Sequence, residues 1–143
     1  MALICDTGGI YAVHDADDLQ HAAVKEIFEN EPGPLFLPAV LLAEIDYLLT
    51  RRLGVDAALD FIDSIERGAF TLVVPTAEDI ARCRELMIQY RDLPLGIADA
   101  SVVAAAERMH IQRILTVDER HFRAVRPRLF SHFVLLPADH ASR

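Results

Sequence analysis

The stretch "PLGIADASVVAAAERMHIQRILTVD", residues 94–118, decides how the chain is read. Its first part predicts a helix over 95–109. Pro94 sits near the start, and no Pro or Gly interrupts the run after Gly96. Its second part, "RILTV" (113–117), predicts a strand that ends directly on Asp118. On the helix, Asp99 shares a face with Leu95, Val102, Val103 and Ala106, at 100° per residue. Ser101 and Arg108 lie on the opposite side. A carboxylate on the apolar side of a helix needs a reason. The plain one is a first-turn acid at the positive end of the helix dipole. That reading weakens if other acids also occupy costly places.

Outward from this stretch, short apolar runs alternate with helical patterns. Strands are predicted at 2–5, 34–38, 70–74, 113–117 and 132–136. Helices are predicted at about 18–30, 38–52, 55–67, 76–90 and 95–109, with a short one after 118. The alternation predicts an α/β fold with a mostly parallel sheet covered by helices. Residues 1–143 read as one domain. Ligands of open α/β sheets bind beyond the carboxyl ends of the strands. Asp6 follows the first strand in "ALICDTGG", and Asp118 follows the fourth, so both belong on that edge. In "LPAVLLAEIDYLLTRRL", Glu44 shares a stripe with Val40, Leu41, Tyr47 and Leu48. It is therefore expected on an inward face, where an ionised carboxylate is rarely found without a partner. Asp46 lies about 200° away and is given no role.

Asp6, Glu44, Asp99 and Asp118 form a candidate cluster. Four converging carboxylates repel strongly, and a divalent cation relieves this. All-oxygen ligands point to Mg²⁺ or Mn²⁺ rather than zinc. Such an ion activates water and neutralises phosphate charge.

The chain carries a net charge of −8, which argues against a protein that simply coats nucleic acid. Four arginines fall in "RHFRAVRPR", Arg120 to Arg128. They read as a solvated strip by default, or as a phosphate contact. Cys5 and Cys83 are too few for a disulfide framework or zinc site, which fits a reducing cytoplasmic setting. No apolar run approaches the roughly 18 residues of a membrane span, and the N-terminus lacks signal-peptide features. The six histidines show no metal-ligand spacing. His121 stands out because it follows Asp118 closely.

The pieces "ICDTGGIYA", "LAEIDYLL", "YRDLPLGIADASVVAAAER" and "ILTVDERHF" together resemble the PIN-domain ribonucleases, specifically VapC-type toxins of bacterial toxin–antitoxin pairs. They occur in the family's order and cover nearly the whole chain. The resemblance implies a five-stranded parallel sheet, order 3-2-1-4-5, flanked by helices. It implies a Mg²⁺-dependent endoribonuclease acting on structured RNA, commonly tRNA or rRNA. It also implies an antitoxin partner of the VapB type and a homodimer. Asp6 and Asp99 would be principal metal ligands, and Asp118 would complete the pocket. For Glu44 two roles stay open: orienting a water, or joining a second metal position. Thr7 and Thr116 would be supporting donors. The family often has Ser where this chain has Gly8. The helices at 38–52 and 55–67 are the expected partner surface.

Three other readings carry less. "DTG" at 6–8 is also the aspartic-protease signature, but that fold is nearly all β. A receiver domain needs a lysine after its last strand, and the only lysine is Lys25. The remaining alternative is a catalytically silent PIN-like module that binds RNA or protein.

Overall fold

The computed structural model describes residues 2–142. Five short strands form one parallel sheet in the order β3-β2-β1-β4-β5. They are β1 (Leu3–Cys5), β2 (Leu35–Pro38), β3 (Thr71–Val73), β4 (Arg113–Leu115) and β5 (Val134–Leu136). Seven helices connect and cover them: α1 (Thr7–His14), α2 (His21–Asn30), α3 (Leu42–Leu53), α4 (Val55–Glu66), α5 (Ala77–Gln89), α6 (Ile97–Met109) and α7 (Glu119–Ala124). The expected order 3-2-1-4-5 is the one observed. The central strands carry apolar residues toward both faces: Leu3, Ile4, Cys5, Ile114 and Leu115 are fully buried. That continuous apolarity is what a parallel sheet covered on both sides requires. Cys5 and Cys83 are both buried free thiols. No helix among the described residues is long and apolar enough to cross a membrane.

The helix α6 differs from its expected form. It begins at Ile97, after a connection that holds Pro94 and Leu95. It is not amphipathic: every residue from Ala100 to Glu107 is buried, Ser101 and Glu107 included. It packs on α5 and lies across β1 and β2, so it is enclosed on nearly all sides. Its polar residues are satisfied inside. Ser101 Oγ donates to the Ala98 carbonyl at 2.6 Å. Glu107 takes a two-pronged contact from Arg82, Nε to Oε1 at 2.7 Å and Nη2 to Oε2 at 3.0 Å. The Arg128 backbone N–H adds a third bond to Glu107 Oε2 at 2.8 Å. Arg108 Nε reaches Asp79 Oδ2 at 2.9 Å, and Asp79 also closes a capping box with Thr76 at the start of α5. These bonds clamp α6 to α5 at the end away from Asp99.

The expected helix over 38–52 is divided. A 3-10 turn, Ala39–Leu41, precedes α3. The buried positions are Leu41, Ile45 and Leu49, one residue in four. The stripe expected to carry Glu44 inward is split: Leu41 is buried, but Glu44 is exposed and Tyr47 is 58% exposed. Glu44 is therefore not a buried acid.

Helix α1 enters against the end of β4 with no room to spare. A Cβ on Gly9 would fall 2.8 Å from Leu115 Cγ and 3.0 Å from the Leu115 carbonyl oxygen. At Gly96, before α6, nothing lies within 4 Å. Gly9→Ala should therefore destabilise the protein by about 1–3 kcal/mol, as overpacking does. Gly96→Ala should cost less, about 0.5–1 kcal/mol, because only a favoured N-cap residue is lost. Urea unfolding of the two variants beside wild type checks the contrast.

Candidate functional site

The site is built where β1 and β4 end side by side. Their register sets Cys5 beside Leu115, and the Asp6 N–H extends the ladder to the Leu115 carbonyl at 2.9 Å. Asp6 occupies the N-cap position of α1, yet its side chain makes no capping bond. Its Oδ2 instead accepts the Thr116 hydroxyl at 2.9 Å. The same Thr116 oxygen accepts the Asp118 backbone N–H at 2.9 Å. One hydroxyl thus ties two acids from neighbouring strand ends. Gly8 leaves the room that Val117 fills: a Cβ there would fall 2.5 Å from Val117 Cγ2. The departure from Ser at this position has a steric cause, and Thr116 supplies a hydroxyl to Asp6 from the opposite side.

Asp99 enters from the first turn of α6, whose N-cap Gly96 offers no side chain. His121 enters from α7. Its Nδ1 lies 2.8 Å from Asp99 Oδ2 and 2.7 Å from Asp118 Oδ2. One ligand atom from each of Asp99, Asp118 and His121 lies within 4.8 Å of the others, the one such group among the described residues. His121 is the member that spacing rules missed. The signal was local: Asp118 and His121 stand three apart on one helical turn.

Electrostatics joins Asp6 to this group. Asp6 is 4% exposed. Burial first, then the charge of Asp99 and more weakly that of Asp118, push its carboxyl up to about 7 against the bonds from Thr116 and the Thr7 backbone. Asp99 is also raised, first by burial; His121 opposes this, while the charges of Asp118 and Glu44 reinforce it. So Asp6, Asp99 and Asp118 share one field, and Glu44 acts on it from an exposed position. Thr7 is buried beside Asp6, and its Oγ1 has no hydrogen-bond partner. A buried hydroxyl left unpaired costs about 1–3 kcal/mol. Converging carboxylates and an orphaned hydroxyl are oxygen donors that fit a hard divalent cation.

The four arginines of the strip are all exposed, as a solvated strip should be, and they are not gathered as a phosphate site. Arg123 binds Glu119 and Asp139, and Arg128 binds Glu85. The Arg120 side chain reaches the Leu93 carbonyl at 3.5 Å. A cavity of about 550 Å³ opens at the opposite, amino-terminal edge of the sheet, beside Ala2, Pro34 and Gln112. No carboxylate lines it, so size does not mark the site here.

The family model of the PIN domain matches residues 3–126. Ribonuclease VapC26 of Mycobacterium tuberculosis is 37% identical over 135 residues, 94% of this chain and all of that protein. Among solved structures, M. tuberculosis VapC20, described as a sarcin–ricin loop cleaving toxin, aligns with a TM-score of 0.76. It is 23% identical and covers 82% of this chain and 91% of its own. A toxin–antitoxin complex from Klebsiella pneumoniae aligns with a TM-score of 0.68 at 14% identity, covering 94% of this chain and all of that one. Fold and acidic edge define an open α/β protein that gathers its acids beyond the carboxyl ends of its strands, where ligands of such sheets bind. The chain belongs to the PIN-domain family, in its VapC branch.

The raised Asp6 carboxyl sets a pH dependence. Between about pH 4 and 7 the folded state holds a proton that the unfolded state has lost, so stability falls as pH rises through that window. Asp6→Asn removes this slope. In EDTA the variant should exceed wild type at pH 8, by on the order of 2–4 kcal/mol, and not at pH 4. Urea unfolding at the two pH values checks this.

Proposed function

We propose that this chain is a Mg²⁺-dependent endoribonuclease, the toxin of a toxin–antitoxin pair. It cuts structured RNA, tRNA or rRNA, by attack of water on a phosphodiester, and Mn²⁺ substitutes for Mg²⁺. One observation carries the reading. Asp6, Asp99 and Asp118 share a field with no Lys or Arg within ion-pair distance among the described residues; His121 alone stands there. Carboxylates kept together without a cationic side chain are a cost that a bound cation relieves. The 37% identical relative is named a ribonuclease, which supports the same chemistry.

When bound, a divalent cation acidifies a water and neutralises charge on the phosphate. The residues that would hold it are Asp6, Asp99 and Asp118. Thr116 fixes the orientation of Asp6, and the β1–β4 register fixes the distance between strand ends. Glu44, exposed at the rim, orients a water or borders a second cation position. A silent binding module would keep the fold without needing these acids unneutralised.

The partner reading rests on α3 and α4. Tyr47, Val55, Leu59 and Ile62 are between 46% and 61% exposed, an apolar surface along both helices. An antitoxin of the VapB type covers it and sets a basic side chain among the acids. Self-association as a homodimer uses part of the same region. Solved structures of similar fold include VapBC from Rickettsia felis and from Salmonella typhimurium, which supports such a partner.

Purified protein should cut total cellular RNA into discrete fragments with Mg²⁺ or Mn²⁺ and stop in EDTA. Intact RNA under saturating metal favours the silent module. Asp99→Asn should lower cleavage by about 100-fold or more with the metal-free fold retained, because a ligand is lost. Asp46→Asn, altered on an exposed and unrelated position, should leave cleavage unchanged.

A second outcome concerns the partner. Co-expression with the product of the adjacent gene should give a complex with cleavage suppressed. Leu59→Asp should weaken its co-purification while leaving RNA cleavage by the free chain intact.

A further inference from the structure

We propose that His121 is itself a metal ligand, through Nδ1, and that it turns the site's preference from Mg²⁺ toward Mn²⁺. The proposal rests on the reading that the cluster binds a divalent cation, and it names the ligand that decides which one. Nδ1 stands 2.8 Å from Asp99 Oδ2 and 2.7 Å from Asp118 Oδ2 at the same time. One ring nitrogen carries at most one hydrogen and cannot donate in line to both. Adjacent ligands of an octahedral cation with bonds near 2.1 Å are about 3 Å apart. The nitrogen is thus spaced from each oxygen as one vertex of such an octahedron is from the next.

The position is built. His121 lies on α7, whose start is capped by Asp118: Asp118 Oδ1 accepts the His121 backbone N–H. The next residue, Phe122, is 1% exposed and anchors the helix in the core. The imidazole is about one fifth exposed, so it is held at the site rather than in solvent. Asp6 stands outside the group whose ligand atoms fall within 4.8 Å of one another. Without His121, only two closely spaced donors remain.

A nitrogen donor changes selectivity. Mg²⁺ takes oxygen ligands and keeps several waters. Imidazole suits transition metals, whose affinity for mixed nitrogen and oxygen sites rises from Mn²⁺ onward. Two carboxylates with one imidazole therefore bind Mn²⁺ in preference to Mg²⁺, where three carboxylates would discriminate less.

The test uses the full chain with Mn²⁺ as the probe. Electron spin-echo envelope modulation on the Mn²⁺ complex reads directly bound nitrogen, and ¹⁵N-histidine labelling assigns it. Wild type should show histidine nitrogen modulation; His121→Asn should lose it. The ratio of Mn²⁺ to Mg²⁺ affinity, from competition, should fall at least about tenfold in the variant. Mn²⁺ bound without nitrogen modulation, or modulation kept in His121→Asn, overturns the proposal and leaves the carboxylate site standing. A wild-type chain that binds no Mn²⁺ overturns the proposal and the metal-dependent reading together. If the variant fails to fold, the labelled wild-type spectrum still decides.

Discussion

The repulsion among Asp6, Asp99 and Asp118 is the constraint to which the carboxyl edge of the sheet answers. Asp99 and Asp118 bring carboxylate oxygens within 4.8 Å of each other, and like charges about 5 Å apart repel by about 3 kcal/mol at an effective dielectric near 20. In the metal-free chain burial first, and the neighbouring acid charges after it, raise the Asp6 and Asp99 carboxyls. His121 stands between Asp99 and Asp118, and Thr116 gives its hydroxyl to Asp6. Neither neutralises the whole cluster.

The rest of the molecule handles its buried acids differently. Glu107 is held by Arg82, Asp79 by Arg108 and Glu31 by Arg113. Breaking such a buried pair costs about 3–5 kcal/mol, so these contacts fix the frame. The chain has arginines to give, and it places them at the clamp between α5 and α6 and at the sheet's amino-terminal edge. The carboxyl edge receives none within ion-pair distance among the described residues. That division separates the acids paired with arginines from the acids left without a cationic side chain. It also explains why α6 can present Asp99 steadily: the helix is buried along its length and tied down at its far end.

Much of this was legible from residue order alone. Short apolar runs ending on Asp6 and Asp118 announced strands whose ends carry acids, and a parallel sheet brings such ends together. Glu44 shows where a helical wheel stops. An apolar stripe tells which residues share a face, not which face meets the core. Of the stripe, Glu44 and Tyr47 turned out to face away, while Leu41 turns in with Ile45 and Leu49. For α6 the same wheel suggested a wet side that does not exist. Ser101 and Glu107 are buried because Ala98 and Arg82, remote or local, satisfy them. The place of Gly8 depends on Val117, 109 positions away in the chain, and no local pattern holds that information. His121 needed both its own helix and α6 before its two carboxylate neighbours could be seen.

On the proposed metal-dependent reading, protons hold in the metal-free protein the place that a cation takes when it binds. Calorimetric titration of Mg²⁺ or Mn²⁺ into the protein, in buffers of different ionisation heat, counts the protons released. The account predicts net release of protons per cation bound at pH 6, shrinking toward zero by pH 9 as the carboxyls empty on their own. Cation binding at this site with no proton released at pH 6 would contradict it.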